Sequence, residues 1–458
     1  MQLTLYEIMN QCDLNGSWLG ETDRLHQKIN QVSTDSRSIN AGDVFVALKG
    51  DRFDGHDYVG QALQKNVLGS VVSRAWQESQ PQNDLNNILV VDDPLTALQS
   101  MATFYRQKFD IPVLALTGSS GKTTTKEMIS AVLSGSFAVH RNIKSFNNHI
   151  GVPLTLLGLR KEHHLCVAEL GTNHFGELSV LSKLVQPTMI LLTNIGYAHL
   201  ETFGSLHGVL DAKLEILHGT APDAKVIYRK DDPFLNQVDW HSHPTVSYGL
   251  CADADIQGTI IDCDPEGRYR FTCLGKEFSL SIPGRHMVDN ALAAIAVAKQ
   301  FGVKDYREKI ESFAAVDQRM QVKEFAGMTV ILDYYNANPD SVYAAFQTMS
   351  DIEIKGGRRI AILADMLELG ELSKTEHEKL AQRAQDNGID SLFLFGNEMR
   401  HTYERARTLG IDVVRYFERK QDLLSATLNY AQAGDLILIK GSRGMKLEDV
   451  WHTFTDRT

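Results

Sequence analysis

A short glycine-rich break interrupts an apolar run in the stretch "LALTGSSGKTTTKEM" at residues 114–128. Between a strand and a helix, such a break turns backbone N–H groups and the helix N-terminus towards one point, where they attract phosphate. Lys122 adds a mobile positive charge, and Thr123 can give its hydroxyl to a Mg²⁺ ion that bridges phosphates. A plain glycine turn would not explain Gly, Lys and Thr in consecutive positions. The pattern therefore predicts a nucleotide-phosphate site.

The match is to the shorter form G-x-x-G-K-T, because Leu116 stands where the usual eight-residue pattern has Gly. We expect the whole loop to contact ATP. Its residues are Thr117, Gly118, Ser119, Ser120, Gly121, Lys122, Thr123 and Thr124.

Three further side chains could complete such a site. Glu169 directly follows the apolar run "LCVA", which is where a metal-binding carboxylate is needed, although a lone Glu at a strand end is more often only solvated. His199 follows another buried strand, at the edge where parallel sheets bind ligands, and could ligate a metal or only form a hydrogen bond. Lys213 in "DAKLEIL" has acidic neighbours, and composition alone favours an ordinary surface lysine.

Composition excludes several classes of protein. A chain of 458 residues predicts roughly two to four domains, and contents of 43% hydrophobic and 22% charged residues are typical of a soluble globular protein. The net charge of −11 argues against a nucleic-acid partner. The five cysteines include no CxxC pair, so neither a disulfide framework nor a zinc site is predicted. Without an export signal or a long apolar stretch, we expect a cytoplasmic protein with no membrane insertion.

The elements that must position these residues divide into three α/β domains. Residues 1–108 combine short strands and helices, whereas residues 109–318 alternate fully apolar runs with helical patterns, which predicts a central parallel sheet. Within that domain, residues 245–283 carry short segments between Gly, Asp and Pro, which predicts an antiparallel excursion. Residues 319–458 repeat the strand and helix alternation, which predicts a doubly wound third domain.

A set of motifs in this order resembles the Mur ligases of peptidoglycan synthesis, and the resemblance covers nearly the whole chain. The motifs are "TGSSGKT", "ELGTNHFGE", "NIGYAHLETFGS", "DAKLEI", "GRHMVDNALAA", "DYYNANPDS" and "KGSRGMKLE". The segments "VSTDSR", "GDVFVALKG", "SFNNHIGVPLTLL", "YNANP" and "ADMLELG" are most similar to the members that add D-alanyl-D-alanine to UDP-N-acetylmuramoyl-tripeptide. The DNPR motif of the members that add meso-diaminopimelate is not found.

The resemblance implies an amino-terminal domain for the uridine nucleotide, a central P-loop ATPase domain, and a carboxy-terminal Rossmann-like domain that closes over the site. It implies ATP and Mg²⁺ as cofactors, two small-molecule substrates, and no nucleic-acid partner; we expect a monomer. In the implied reaction, ATP phosphorylates the terminal carboxylate of the tripeptide. The free amine of D-alanyl-D-alanine then attacks the acyl phosphate, and ADP and phosphate leave.

The resemblance also assigns roles to individual residues. It makes Lys122, Glu169, His199 and Lys213 catalytic and places Thr123, Glu169, His199 and Lys213 at the metal, with Lys213 carbamylated. The remaining assignments are Asn290, Arg319 and Asp333 at ATP, and Ser36, Arg37, Asn147, Asn148, Asn336 and Asn338 at the substrates.

Two positions depart from the family pattern. Met287 stands where an Asn usually follows the His, and Gln318 stands where a Gly often precedes the arginine. Neither residue would supply the chemistry, so these departures concern local geometry.

Other functions stay open at this point. A folylpolyglutamate-type ligase shares the loop and the acyl-phosphate chemistry, but "STDSR" in a full-length first domain argues against it. A P-loop NTPase without ligation would leave "DAKLEI" and "YNANP" unexplained. A sugar-nucleotide-binding protein that has lost catalysis would have no need for Lys122, Glu169 and Lys213 together.

Overall fold

The computed structural model describes residues 1–12, 14–51, 53–80, 86–240 and 242–455. Within these residues the chain forms three separate sheets covered by helices, so the predicted α/β class is confirmed. No helix in this part of the chain is long and apolar enough to cross a membrane.

The first sheet has the strand order β1-β5-β4-β3-β2, and β1 is its antiparallel member. Its strands are β1 (Ser17–Leu19), β2 (Val32–Ser33), β3 (Val44–Val46), β4 (Gly69–Ser73) and β5 (Ile88–Val91). The accompanying helices are α1 (Leu5–Gln11), α2 (Thr22–Leu25), α3 (Val59–Gln64), α4 (Arg74–Glu78) and α5 (Pro94–Arg106).

The second sheet has the order β14-β13-β12-β11-β10-β9-β6-β8-β7. Its strands are β6 (Val113–Thr117), β7 (Val139–Arg141), β8 (Leu165–Glu169), β9 (Met189–Leu192), β10 (Lys225–Arg229), β11 (Thr245–Gly249), β12 (Ile256–Cys263), β13 (Arg268–Cys273) and β14 (Lys276–Pro283). Its helices are α6 (Lys122–Leu133), α7 (Gly151–Leu157), α8 (Glu177–Val185), α9 (Leu200–Phe203), α10 (Leu206–Leu214), α11 (His286–Gln300) and α12 (Arg307–Glu311).

Strands β6 and β8 are buried along their whole length and lie side by side in parallel. Because helices cover both faces of such a sheet, its strands are apolar along consecutive positions rather than at alternate ones, here up to the last residue of each strand. Their carboxyl ends bring Thr117 and Glu169 to the same edge of the sheet.

The antiparallel excursion predicted for residues 245–283 is wrong in its first part. Strand β11 pairs in parallel with β10, and β12 continues the parallel order beside β11. Only from β12 onwards, through β13 and β14, is the pairing antiparallel. The separating Gly and Asp residues mark turns, and a turn residue alone does not show whether the next strand reverses or crosses over.

The third sheet has the order β15-β16-β20-β17-β18-β19 and is parallel except at β15. Its strands are β15 (Gln321–Phe325), β16 (Met328–Leu332), β17 (Arg359–Ala364), β18 (Ser391–Phe395), β19 (Val413–Phe417) and β20 (Leu436–Lys440). Its helices are α13 (Pro339–Asp351), α14 (Ser373–Asp386), α15 (Met399–Leu409), α16 (Lys420–Tyr430) and α17 (Glu448–Thr455).

Helix α5 connects the first sheet to the second. It packs against α7 and α8, which belong to the second sheet's layer of helices. At its end, Arg106 is buried and donates hydrogen bonds to the carbonyls of Phe109 and Val185 at 2.6 and 3.1 Å. One face of this helix therefore contributes to the core of the middle region. The domain boundaries at 108 and 318 stay predictions.

Candidate active site

The glycine-rich loop leaves β6 and enters α6 through two residues with positive φ. Gly118 has φ +148° and Gly121 has φ +79°, a backbone region that side chains rarely adopt. A Cβ added to Gly118 would lie 2.0 Å from Oγ1 of Thr193. Glycine is therefore required here both by the backbone angle and by the close approach of the neighbouring strand.

The residues after β9 hold this loop in place. The amide of Ser120 donates to Oδ1 of Asn194 at 2.8 Å, and the amide of Ser119 donates to the Asn194 carbonyl at 3.0 Å. Thr193 donates to the Ser120 carbonyl at 2.8 Å. Because α6 has no side-chain cap, the N–H groups of its first turn have no side-chain partner among the described residues. Such a helix end attracts anions.

Lys122, the first residue of α6, reaches back over the loop. Its Nζ donates to the carbonyls of Gly118 and Ser119 at 2.6 and 3.2 Å. Burial lowers the pKa of this lysine to about 8, and the charge of Glu169 acts in the opposite direction. The ammonium group is thus held at the loop in a site that disfavours an uncompensated charge.

Hard oxygen ligands meet at the edge of the sheet where β8 ends. Thr123 donates to Oε1 of Glu169 at 3.1 Å, and Nδ2 of Asn147 donates to the same oxygen at 2.8 Å. The other carboxylate oxygen, Oε2, is buried and has no hydrogen-bond partner among the described residues. A carboxylate oxygen left in this state beside a hydroxyl fits a divalent cation.

The described residues hold no group of three His, Cys, Asp or Glu side chains arranged to ligate a metal. Mg²⁺ does not need such a cage, because it usually takes one or two carboxylates and completes its shell with phosphate oxygens and water. Thr123 and Glu169 therefore suit Mg²⁺ better than a metal that requires a closed protein site.

His199 and Lys213 lie further from this pair. His199 is the residue directly before α9 and has a left-handed conformation, φ +54°; its Nδ1 lies 2.5 Å from Oε2 of Glu368. Lys213 is buried in α10 and makes no ion pair or hydrogen bond with the described residues; Nζ lies 5.9 Å from the Phe203 ring centroid. Burial, and to a lesser extent the charge of Lys122, holds the pKa of Lys213 well below its usual value.

Asn290 contacts the helix that follows the phosphate loop. Its Oδ1 accepts a hydrogen bond from Thr125 at 3.0 Å, and its Nδ2 lies 3.3 Å from the sulfur of Met287. Met287, one of the two departures from the family pattern, is therefore in direct contact with the predicted nucleotide residue. Its thioether accepts only a weak hydrogen bond, so it constrains the amide less than an Asn would.

Arg319 and Asp333 are fixed by residues of the third sheet. The guanidinium of Arg319 lies 4.1 Å from the centroid of the Tyr335 ring. Asp333 accepts hydrogen bonds from Nζ of Lys440 at 2.5 Å and from the Met320 amide at 3.2 Å. Lys440 is buried, so Asp333 compensates its charge.

Asn338 links the third sheet to the phosphate loop. It caps α13 by accepting from the Ser341 amide at 2.8 Å, and Ser341 returns the contact by accepting from the Asn338 amide at 3.0 Å. Its Nδ2 also donates to Oγ of Ser120 at 3.1 Å. The "NANP" segment and the glycine-rich loop are therefore in direct contact.

A cavity of about 850 Å³ joins these groups between the second and third sheets. Most of the predicted site residues line it. They are Ser119, Ser120, Gly121, Lys122, Thr123, Thr124, Asn147, Asn148, Glu169, His199, Asn290, Arg319, Asp333, Asn336 and Asn338.

Five predicted residues do not line this cavity. Thr117 is the last residue of β6 and Gly118 the first residue after that strand, and Lys213 is buried in α10. Ser36 and Arg37 belong to the first sheet's region, where Ser36 is buried and Arg37 forms a bidentate pair with Asp35 at 2.9 and 2.8 Å.

Some residues of the site escaped the sequence prediction. Asn194 anchors the loop, and it has a usable signal because it lies two residues after the end of the apolar strand "MILL". Ser145 contacts both Thr123 and Arg319, at 3.4 and 3.3 Å, and nothing in the sequence singles it out. Lys440 ends a buried strand, which could have marked it as a paired charge.

Family models of the Mur ligases match most of the chain. The Mur ligase family catalytic domain matches residues 28–106, the Mur ligase middle domain residues 116–298, and the Mur ligase glutamate ligase domain residues 318–443.

Curated relatives and solved structures agree with these matches. A UDP-N-acetylmuramoyl-tripeptide–D-alanyl-D-alanine ligase from Bacillus subtilis is 39% identical and aligns over 92% of each chain. The ligase of the same name from Escherichia coli is 35% identical over 94% of this chain and 95% of its own. A crystal structure of MurF from Acinetobacter baumannii superposes with a TM-score of 0.88 at 31% identity, covering 100% of this chain and 99% of that one. MurF from Thermotoga maritima in complex with ADP has a TM-score of 0.80 at 26% identity, covering 93% and 98%.

Proposed function

This chain belongs to the Mur ligase family, and from that premise we propose that it joins D-alanyl-D-alanine to UDP-N-acetylmuramoyl-tripeptide with ATP. It is an ATP-dependent peptide ligase, and the product of the proposed reaction is UDP-N-acetylmuramoyl-pentapeptide, a peptidoglycan precursor. One observation carries the proposal: a single cavity is lined both by the phosphate loop and by the Asn336–Asn338 segment of the third sheet. A site for phosphoryl transfer and a site for a second substrate are thereby adjacent.

In the first half-reaction, a carboxylate oxygen of the tripeptide attacks the γ-phosphorus of ATP, and ADP leaves. Lys122 and the uncapped N–H groups of α6 bind the phosphate oxygens and stabilise the charge that develops on them. Asn147 and Asn148 line the cavity beside Glu169 and orient the acyl substrate. Positioning of this kind supplies most of the rate enhancement in phosphoryl transfer.

Thr123 and Glu169 would hold Mg²⁺, and His199 and Lys213 are the further residues proposed to serve the metal. When bound, the ion neutralises negative charge on the transferring phosphoryl group. Lys213 is suited to carbamylation because only a neutral amine reacts with CO₂, and burial favours the neutral amine. The carbamate would turn a buried amine into an oxygen ligand.

In the second half-reaction, the amine of D-alanyl-D-alanine attacks the acyl carbon, and the tetrahedral intermediate expels phosphate. Asn336 and Asn338 lie where the third sheet meets the phosphate loop and would contact this dipeptide.

The remaining residues are assigned to ATP or to the uridine nucleotide. Asn290 would contact the adenine end of ATP, Arg319 its phosphates, and Asp333 its ribose. Ser36 and Arg37 would contact the uridine diphosphate on the first sheet, outside the main cavity. The domains are proposed to be residues 1–108, 109–318 and 319–458.

Phosphate release tests the proposed function. Purified protein is given ATP, Mg²⁺ and UDP-N-acetylmuramoyl-tripeptide, with and without D-alanyl-D-alanine, and the nucleotide products are analysed by mass. We expect release that requires both substrates, matched by a pentapeptide product. Release that is indifferent to the dipeptide would contradict the proposal and favour an NTPase without ligation, while release with a folate and glutamate would favour the folylpolyglutamate-type ligases.

A further inference from the structure

Lys126 is a completely buried lysine that the mechanism above does not use. It lies on α6, one helical turn after Lys122, and its side chain has no exposed surface. A buried ammonium group is tolerated only where other groups compensate its charge. Its partners therefore show what the charge holds in place.

The ammonium group of Lys126 binds two backbone carbonyls and lies beside two carboxylates. Nζ donates to the carbonyls of Asn142 and Lys144 at 3.0 and 2.5 Å. It also lies 3.1 Å from Oε1 of Glu127 and 3.7 Å from Oε2 of Glu169. One lysine thus connects the helix of the phosphate loop, the 142–148 segment and the carboxylate at the end of β8.

The 142–148 segment is held in an unfavourable backbone conformation at the point where Lys126 binds it. Lys144 has φ +52°, which is uncommon for a residue other than glycine. Its carbonyl is one of the two that Lys126 binds. Such a conformation persists only where surrounding contacts impose it.

The same segment carries groups that reach the cavity. Asn147 donates to Glu169, and Ser145 contacts Thr123 and Arg319. Asn142 fixes the other side of Glu169, because its Oδ1 accepts from the Glu169 amide at 2.6 Å and its Nδ2 donates to the Glu169 carbonyl at 3.1 Å. A shift of the segment would therefore move Glu169 and the walls of the acyl-substrate site together.

We propose that Lys126 is a positioning residue that fixes the 142–148 segment and thereby couples the muramoyl-peptide site to the carboxylate of the metal site. The substrate side of this inference rests on the proposed function; the structural side does not. Lys126 itself does not line the cavity. Its effect is transmitted through Asn142, Asn147 and Glu169.

Hydrogen–deuterium exchange of the ligand-free protein tests the structural side. In Lys126→Met, the amides of residues 142–148 should exchange at least about tenfold faster than in the wild type, while strands β6 and β8 keep their protection. Lys126→Arg keeps the charge and should recover most of the protection. Lys161→Met, which removes an exposed lysine of the same domain, is the matched control and should exchange like the wild type.

Binding of UDP-N-acetylmuramoyl-tripeptide, measured calorimetrically in EDTA without ATP, tests the coupling. Lys126→Met should weaken this binding roughly tenfold, and in turnover assays it should raise the half-saturating Mg²⁺ concentration about fivefold with a smaller change in the KM for ATP. Lys144→Pro keeps Lys126 but cannot adopt φ +52°, so it should reproduce the same pattern in a variant altered only in an exposed loop.

The outcomes separate the two proposals. A wild-type protein that does not bind the tripeptide nucleotide would contradict the proposed function, while the exchange experiment would still decide the role of Lys126. A Lys126→Met protein with a lower Tm but wild-type exchange at residues 142–148 and wild-type tripeptide binding would overturn the inference. It would show that Lys126 only stabilises the core.

Discussion

Helices α6 and α13 each follow a buried strand, but the N–H groups at their N-termini differ in whether a side chain caps them. Helix α6 follows β6 through a glycine loop and has no side-chain cap, whereas α13 follows β16 and begins with a capping box formed by Asn338 and Ser341. The N–H groups at the start of α13 are satisfied within their own segment, and those of α6 are left for a ligand. The uncapped start of α6 therefore suits an anion better than the capped start of α13 does.

Two buried lysines, one in the third region and one in the middle region, also differ in whether their charge has a partner. Lys440, at the end of β20, binds Asp333 and the Asn336 carbonyl, at 2.5 and 3.1 Å. Lys213 has no such acceptor among the described residues. Lys126 of the middle region is bound by carbonyls as Lys440 is, so the contrast is between Lys213 and Lys440 only. A mutation of Lys213 should mainly reduce activity, whereas a mutation that breaks the contacts of Asn338 in the third region should also reduce stability.

The largest expected effect is that of Lys122→Ala. Loss of the ammonium group at the uncapped helix should lower kcat/KM for ATP roughly 1000-fold with little change in the unfolding temperature. Steady-state kinetics and thermal unfolding measure the two quantities, with Lys161→Ala as the surface control. Turnover at the wild-type rate would disprove the phosphate-loop assignment.

Gly118→Ala tests whether the loop needs its backbone conformation. The added Cβ would lie 2.0 Å from Thr193 and φ would stay near +148°, so the loop must shift. We expect about a 100-fold loss of kcat/KM and a loss of about 1–3 kcal/mol in the free energy of unfolding. Gly135→Ala, at a position where an added Cβ only touches a carbonyl at 4.0 Å, is the matched control. Equal kinetics in both variants would contradict the steric argument.

Lys213→Ala tests whether the unpaired lysine serves the metal. Activity should fall by about 10- to 100-fold, which is typical when a residue that supports a metal site is lost. Short carboxylic acids added to the assay should restore part of the activity if they replace a carbamate. Normal activity of Lys213→Ala without such acids would show that Lys213 has only a structural role.

Asn338→Ala should affect both stability and activity, because Asn338 caps α13 and also contacts Ser120. Loss of the cap should cost about 1 kcal/mol, and the KM for D-alanyl-D-alanine should rise about tenfold. Asn338→Ser keeps a capping oxygen but is too short to reach Ser120. It should recover the unfolding temperature and leave the KM high; recovery of both would show that the contact with Ser120 is not needed.

Ser341→Ala should have the smallest effect. It removes the return hydrogen bond of the capping box, while the Asn338 side chain still accepts from the residue 341 amide. A loss of about 0.5 kcal/mol with unchanged kcat is expected. A decrease in kcat that the loss of stability does not explain would show that the start of α13 also contributes to catalysis, contrary to the contrast with α6.

The sequence predicts most reliably the residues whose partners lie within a few positions. Lys122 and Thr123 are recognisable because a phosphate loop is contiguous, and Glu169 because it ends an apolar strand. The anchoring role of Asn194 depends on β9 lying beside β6, which is a property of sheet order rather than of local sequence. The role of Lys126 is not visible in the sequence for a similar reason, because the carbonyls that it binds lie 16 and 18 residues away.

Strand order and direction were also harder to predict than the strands themselves. The strand and helix alternation predicted for residues 319–458 is confirmed by strands β16 to β20 and the helices between them. Strand β11 was predicted as a strand but assigned the wrong direction, because direction depends on where the chain crosses over. The assignment of Ser36 and Arg37 to the substrate remains a prediction, because neither residue lines the cavity of the candidate site.

Helix α5 has a consequence for how this protein could be dissected. Its residues precede position 108, yet it packs on α7 and α8, and the hydroxyl of Tyr105 donates to the Leu159 carbonyl at 2.9 Å. A fragment that began at residue 109 would expose the apolar surface that α5 covers and would lose the anchoring bonds of Arg106. The smallest middle fragment able to fold alone should therefore begin before Pro94, so the unit of folding and the unit of function have different first residues.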